Sequence, residues 1–422
     1  MSPIPPERSY RALAAVPALP RMVAGMQIAR IGQSMVSVAM VLFTLTTYHS
    51  ARLAGLVTFV AIVPGMLVSP IAGALLDRQG RSRLVLVDYV VAGVALALVG
   101  GLALAHALPV WLLLVIAGAS SLTATLSSTG LRSLFPLLVP AHLWERINAV
   151  DSMGYVVATV VGPPLAGALV GLWGGPAALV AIAGTFALAA LVLVGIPDPE
   201  TDVASSGRLL LDAWQGLVYT WRNPTLRALG FSVSAVNLSS GMTTIVVPLI
   251  VLDRLHQGPA AVGAVFAVLG LGGAVAAVLF GRINSAGRER RMLVLPMLGS
   301  ALALVLLLPA ADPTPTAGAL GLVIASMALI GLLNGPQDIG LFTLRQRRTD
   351  PAWMGRAFAV SMNFNFAGFP IGSAVAGWLG SRSIESAVLF GVAACVVAAV
   401  IAARGIPRSE GGEGRAARPS TV

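Results

Sequence analysis

Arg30 is the charged residue that lies deepest in an apolar stretch of this sequence. It lies about ten residues, or ~15 Å, into the first stretch, near the middle of a hydrocarbon layer ~30 Å thick. Gln27, Ser34 and Ser37 share its helical face. Because lipid offers no partner, this face must point at protein or water. It could form a cavity wall that binds an anionic or hydrogen-bonding group, or it could contact backbone carbonyls. No carboxylate is expected at this depth.

Three carboxylates in other apolar stretches are candidates for carrying protons: Asp88, Asp151 and Asp338. Each lies within about two helical turns of the end of its stretch. Burial favours the neutral form of a carboxylate, which brings proton exchange within reach when the site opens to water. Asp338 is the preferred candidate because Asn334 lies one turn before it on the same face.

An ion pair is the alternative role for two of these carboxylates. Asp88 could pair with Arg132 or Arg83, and Asp151 could pair with Arg146. Such pairing would make them structural, since a charge in the membrane needs a partner.

The elements that position these residues are predicted to be membrane-spanning helices. The chain has 422 residues, of which 57% are hydrophobic and 10% charged, against about 25% charged in a soluble domain. This composition excludes a soluble globular protein. Helices are expected because lipid leaves no partner for unpaired backbone groups. The apolar runs predict twelve spans, near residues 20–48, 53–76, 84–105, 109–131, 147–171, 176–196, 225–251, 259–281, 292–310, 317–341, 356–380 and 384–404.

The basic residues indicate the orientation of these spans. All 27 are arginine, and the net charge is +10. Most lie in the tails and in the loops after even-numbered spans, and only Arg52, Arg254 and Arg382 fall in loops on the other side. The positive-inside rule therefore predicts cytoplasmic termini in a bacterial inner membrane. The positive charge is explained by the orientation of the spans in the membrane, so no nucleic-acid partner is expected.

The chain divides into two bundles joined by a linker. The linker reads RLLLDAWQGLVYTWR from residue 208, which predicts an amphipathic interfacial helix. The predicted parts are a tail (1–19), a six-helix bundle (20–196), the linker (197–224), a second six-helix bundle (225–404) and a tail (405–422).

The two bundles repeat one another. Two sets of residues recur at constant offsets: Gly55, Gly65 and Gly73 as Gly263, Gly273 and Gly281 at 208, and Arg146, Ala149, Val150, Gly162 and Gly167 as Arg356, Ala359, Val360, Gly372 and Gly377 at 210. A duplicated six-span unit relates its halves by an axis along the membrane normal, an arrangement that places a transport site between them.

The loop after the second span reads GALLDRQGRSRL from residue 73. Gly73, Asp77, Arg78, Gly80 and Arg81 in this loop resemble the signature of the major facilitator superfamily. The resemblance implies that fold, with twelve helices in two pseudo-symmetric halves. It also implies that these five residues form a charged latch, which docks on the start of span 11 and favours the outward-open state.

Two further segments refine the resemblance. Gly162, Pro163 and Gly167 in span 5 resemble the superfamily's antiporter motif, with a plain structural bend as the alternative. The segments ARIGQ from 29 and QRRTDPAWMGR from 346 resemble a branch that contains enterobactin and macrolide efflux proteins.

The resemblance implies that spans 1, 4, 7 and 10 line the substrate cavity. Besides the face around Arg30, this adds Ser121, Thr125, Asn237 and Asn334 as candidate cavity residues. The function predicted is proton-coupled efflux of small organic molecules by alternating access. The alternatives are an uptake symporter and a non-transporting receptor or assembly factor on the same fold.

No enzymatic chemistry is predicted. The four histidines fall in loops and no P-loop is present, so neither a catalytic dyad, a metal site nor ATP drive is expected. The expected partners are a small-molecule substrate, protons and the lipid bilayer, with no cofactor. We expect the chain to act as a monomer.

Overall fold

The computed structural model describes residues 9–196, 209–281, 285, 287–315, 317–350 and 353–407, and every regular element in these ranges is helical. The predicted all-helical class is confirmed. The first half contains α1 (Tyr10–Ala14), α2 (Leu19–Tyr48), α3 (Ala51–Val60), α4 (Val63–Gln79), α5 (Arg81–Leu104), α6 (Val110–Leu138) and α7 (Trp144–Leu193), with a 3₁₀ turn at Ala141–Leu143.

The second half begins with the amphipathic helix that was predicted before the seventh span. Its elements are α8 (Leu209–Arg222), α9 (Pro224–Leu249), α10 (Pro259–Phe280), α11 (Glu289–Val305), α12 (Leu308–Ala311), α13 (Ala319–Arg348), α14 (Met354–Phe366), α15 (Gly368–Gly380) and α16 (Ile384–Gly405). A π-helical turn at Ile250–Arg254 extends α9. Tyr219 of α8 stacks on Trp353, with ring centroids 5.0 Å apart.

Ten helical stretches of the described chain are long and apolar enough to cross a membrane. One of them, α7, has 50 residues and would be ~75 Å long if straight, more than twice the hydrocarbon thickness. Its backbone turns at Gly174, where φ is 79°, so α7 provides two passes. The consecutive helices α14 and α15 provide one more. Counted in this way, the described ranges contain twelve passes.

Three spans that were predicted as continuous are broken in the structure. The eleventh is divided into α14 and α15 at Ala367, and the other two are broken beside a proline. The second span is divided into α3 and α4 immediately before Pro64, and the ninth is divided into α11 and α12 before Pro309. A proline has no backbone N–H and its ring clashes with the preceding turn, so each helix restarts with the proline near its beginning.

The two halves meet at two close contacts between glycines. A Cβ added to Gly377 of α15 would lie 3.0 Å from Cα of Gly55 on α3, and a Cβ added to Gly167 of α7 would lie 3.0 Å from the amide nitrogen of Gly263 on α10. Only glycine lets the backbones approach this closely. Both contacts lie at the far end of the bundle, which we define as the end opposite the start of α2 and the end of α16.

Candidate functional site

A buried cluster of three charges joins α2, α6 and α7. Arg30 and Asp151 are 7% and 8% exposed in their side chains, and Arg30 donates to the Asp151 carboxylate and, at 3.0 Å, to its backbone oxygen. Arg132 donates to the other carboxylate oxygen at 2.7 Å and 2.9 Å, with its side chain 48% exposed. Two guanidinium groups thus share one carboxylate, and the cluster carries a net positive charge.

An aromatic ring completes this cluster. Tyr155 lies one turn after Asp151 on α7, and the guanidinium carbons of Arg30 and Arg132 lie 3.9 Å and 4.5 Å from its ring centroid. The ring face attracts both cations, so α7 supplies the anion and the aromatic surface that hold the two arginines.

The expectation that no carboxylate reaches Arg30 is wrong. Arg30 lies eleven residues after the start of α2 and Asp151 seven residues after the start of α7. The difference of four residues is ~6 Å along a helix, which an arginine side chain spans. The predicted partner of Asp151 was Arg146, and the structure shows ion pairs of Asp151 with Arg30 and Arg132.

The predicted polar face of the first span is divided between two surroundings. Gln27 donates to the carbonyl of Gly154 at 3.1 Å, and a Cβ at Gly162 would lie 2.6 Å from the side chain of Ser34. Gln27, Arg30 and Ser34 therefore face α7 rather than a cavity. Ser37 does line a cavity.

That cavity lies mainly within the first half, next to the second half, and has a volume of about 320 Å³. Its wall comes mainly from α2, α3, α5 and α6, with Thr244 of α9 and Phe369 of α15 from the second half. Most lining groups are apolar. Its polar members are Gln33, Ser37, Thr58, Asp88, Ser120, Ser121 and Thr244.

Asp88 is the carboxylate of this cavity. The residue is 3% exposed, and the hydroxyl groups of Thr123 and Ser127 on α6 face its side chain. Of its two predicted partners, Arg132 and Arg83, Arg132 is bound to Asp151.

A second pocket of about 240 Å³ lies in the second half, between α9, α13 and α14. It brings together Asn237, Asn334 and Asp338, all of which are candidate site residues. The amide of Asn237 donates to the backbone oxygen of Asn365 at 2.8 Å. Asp338 is exposed to the pocket, and no ion pair to it occurs among the described residues. Asp88 in the first half and Asp338 in the second half thus each face a pocket.

Two candidate residues on α6 differ in their surroundings. Ser121 is buried at the cavity wall, donates to the Gly118 carbonyl at 2.7 Å and accepts from the amide of Gly65 at 3.1 Å. It therefore holds α6 against α4. Thr125 lies one turn further along α6.

The loop signature is described only in part. Gly80 separates α4 from α5 with φ of 93°, a left-handed conformation that favours glycine. Arg81 begins α5. The side chains of Asp77 and Arg78, and the surroundings of Gly73, lie outside the part of the chain that the structure describes.

The glycine and proline residues of span 5 lie at the contact between halves. The helix continues through Pro163, whose carbonyl faces Gly263 of α10. Gly162 faces α2 and Gly167 faces α10, so these residues bring one helix close to two others.

Some residues in these sites carry little distinguishing signal in the sequence. Tyr155 and Gln33 were not predicted as site residues, although Gln33 lies four residues before Ser37 on the same face of α2. Gln33 donates to the Ser127 hydroxyl at 3.3 Å.

The sequence profile described as Major Facilitator Superfamily matches residues 22–240 and 229–420. The chain belongs to the Major Facilitator Superfamily. The predicted resemblance is thereby confirmed, and the protein is a multi-pass membrane transporter of this superfamily.

Curated relatives agree with this assignment. The MFS-type transporter y4rN of Sinorhizobium fredii is 36% identical over 407 residues, covering 94% of this chain and 97% of the relative. The multidrug efflux pump Tap of Mycolicibacterium fortuitum is 26% identical over 78% of this chain and 80% of its own length. The enterobactin exporter EntS of Citrobacter koseri is 26% identical over 79% of this chain and 76% of its own length.

A solved superfamily structure shares the fold. The nucleoside transporter NupG matches with a TM-score of 0.71 at 14% identity, covering 91% of this chain and 97% of that protein.

Proposed function

We propose that this protein is a proton-coupled exporter of small amphipathic organic molecules, acting as a monomer in a bacterial inner membrane with both termini in the cytoplasm. The similarity to a multidrug efflux pump and an enterobactin exporter supports the direction of transport. The arginine distribution supports the orientation.

The observation that carries the proposal is the cavity of the first half, to whose wall the second half contributes Thr244 and Phe369. Its wall is mostly apolar and holds one carboxylate, Asp88, at 3% exposure, with hydroxyl and amide groups around it. Apolar walls bind a hydrophobic body, and a few placed polar groups orient it. This combination suits an amphipathic substrate with a cationic or hydrogen-bond-donating group.

Asp338 is the carboxylate best suited to proton coupling. A coupling carboxylate must be neutral in one state of the cycle. Neutral Asp151 would leave Arg30 buried without its anion, which is costly. Asp338 is exposed to its pocket, and the described residues offer it no ion pair, so protonation there breaks no such contact.

The latch residues fit the same scheme. We propose that Asp77, Arg78 and Arg81, together with the turn at Gly80, bias the transporter toward one of its two conformations without touching substrate. The two linked six-helix bundles then move against each other, so that the cavity opens to each side of the membrane in turn.

Asp338→Asn is expected to abolish transport driven by a proton gradient while leaving substrate binding intact. The amide keeps the shape of the side chain but cannot exchange a proton in the same range. Purified protein in liposomes with an imposed pH gradient, loaded with the fluorescent lipophilic cation ethidium, measures the flux, and ethidium fluorescence measures binding. We expect gradient-driven flux to fall at least tenfold.

Asp312→Asn is the matched control, because Asp312 is exposed in the segment between α12 and α13. This variant loses one negative charge, as Asp338→Asn does, but at a position outside the spans. It should therefore transport as the wild-type protein does. An Asp338→Asn protein that concentrates ethidium at the wild-type rate would exclude Asp338 as the coupling residue. Flux in the same direction as the protons would identify an uptake symporter.

A further inference from the structure

A second charged region lies away from the transport cavity, in a cleft where α11 begins and α13 and α16 end. The cleft has a volume of about 770 Å³. Four arginines line it, Arg290 and Arg291 from α11 and Arg347 and Arg348 from the last turn of α13, with Glu289 as the carboxylate. Arg347 and Asp338 are nine residues apart on α13, which places them on opposite faces of that helix.

The charges lining this cleft do not balance. Glu289 is buried and forms an ion pair with Arg347, so its negative charge does not compensate the other arginines. Arg290 is held in place by the carbonyl of Ala403 on α16. Arg291 is exposed and makes no hydrogen bond or ion pair with the residues that the structure describes. Beyond the Arg347–Glu289 pair, Arg290 and Arg291 therefore add two positive charges to the lining, at the N-terminus of α11, where the helix dipole also favours an anion.

An apolar stripe continues from the cleft along α11. Leu295, Leu298, Leu302 and Val305 are 64%, 39%, 72% and 42% exposed. They follow Arg291 at intervals of four, three, four and three residues, which places all five side chains on one helical face. From Leu295 to Val305 this face extends ~15 Å, about half the thickness of the hydrocarbon layer.

We propose that this cleft binds the phosphate headgroup of an anionic phospholipid, with an acyl chain lying along the exposed stripe of α11. The arginines match a phosphate in charge, and Arg290 and Arg291 present planar guanidinium groups suited to phosphate oxygens. The apolar stripe explains why the occupant is a lipid. A free phosphate would satisfy the arginines alone, whereas a phospholipid satisfies the arginines and the leucines together.

The test compares thermal unfolding of the purified full-length protein in a neutral detergent with added lipids. Phosphatidylglycerol should raise the unfolding temperature by several degrees, because a ligand that binds only the folded state stabilises it. Phosphatidylcholine with the same acyl chains should raise it by less than half as much. The rise with phosphatidylglycerol should shrink by at least half in Arg291→Gln and further in Arg290→Gln/Arg291→Gln.

Arg404→Gln is the matched control. Arg404 is exposed in the last turn of α16, at the same end of the bundle, and does not line the cleft. Arg291→Gln keeps the Arg290 bond to Ala403, so a folding defect is not expected to obscure its result. We expect Arg404→Gln to keep the full rise. An equal loss in both variants would overturn the site, since it would show a general effect of positive charge.

Two further measurements distinguish binding of a lipid from binding of a soluble anion. Leu302→Asn should reduce the rise with phosphatidylglycerol by weakening the acyl contact. Inorganic phosphate and glycerol phosphate at the same concentration should leave the unfolding temperature unchanged. If either soluble anion raises the temperature as much as phosphatidylglycerol does, the cleft binds a free phosphate and the lipid proposal fails. An unchanged response in Leu302→Asn also contradicts it.

Discussion

Asp151→Asn is expected to lower the free energy of unfolding by about 3–5 kcal/mol, the cost of breaking a buried ion pair by removing one partner. Arg30 is 7% exposed and would keep its charge with no anion in reach. The contribution of Arg132 to this loss should be small, because its side chain is 48% exposed and water can solvate it. Unfolding in mixed detergent micelles, followed by circular dichroism, measures the difference.

Glu289→Gln is the matched control for this experiment, since it is the same kind of change in an ion pair whose arginine, Arg347, is 39% exposed. Its expected cost is about 1 kcal/mol or less. Arg30→Met in the Asp151→Asn background should restore part of the stability, because it removes the charge left behind. A similar cost for Asp151→Asn and Glu289→Gln, with no restoration by Arg30→Met, would mean that the cluster around Tyr155 contributes little to the fold.

The positions of the spans could be predicted because the bilayer fixes their length and composition. The turn at Gly174 falls within the predicted gap between spans 5 and 6. The breaks at Pro64 and Pro309 were missed, because an apolar run continues across each of them. Hydropathy records what lipid tolerates, and it does not record where a proline ends one helical segment and starts another.

The contact between halves was partly visible in the repeat. Gly55 recurs as Gly263 and Gly167 as Gly377, and the structure pairs Gly55 with Gly377 and Gly263 with Gly167. The two contacts are therefore copies of each other under the pseudo-twofold axis. A repeat shows which residues are equivalent, whereas the helices that they face follow only from the packing of the whole bundle.

The partner of Arg30 could not be predicted for a similar reason. Arg30 and Asp151 are separated by 121 positions, and helical periodicity gives the face of each residue but no neighbour for that face. The role of Arg132 could not be predicted either. An arginine at the end of a span on the side of the termini is what the positive-inside rule already expects. The relative depth of the side chains on α2 and α7 decided the pairing.

Gly377→Leu is expected to reduce transport more than tenfold while the protein still inserts and folds. Alternating access requires the halves to close on each side in turn. At the far end, a Cβ on Gly377 would lie 2.5 Å from a carbonyl oxygen of the first half. A leucine cannot fit there unless the halves separate, so the far end should stay open. Gly167→Leu should act in the same way through α10, since the two contacts are equivalent.

Access to the cavity distinguishes this outcome from simple misfolding. Thr58 lines the cavity, and Cys395, the one native cysteine, is buried, so Thr58→Cys provides a labelling site with little background. A membrane-impermeant maleimide applied at the far end should label Thr58→Cys faster when Gly377→Leu is present. Gly184→Leu is the matched control, because a Cβ there would meet nothing within 4 Å. If Gly377→Leu transports and labels as Gly184→Leu does, closure of the far end does not depend on the glycine contacts.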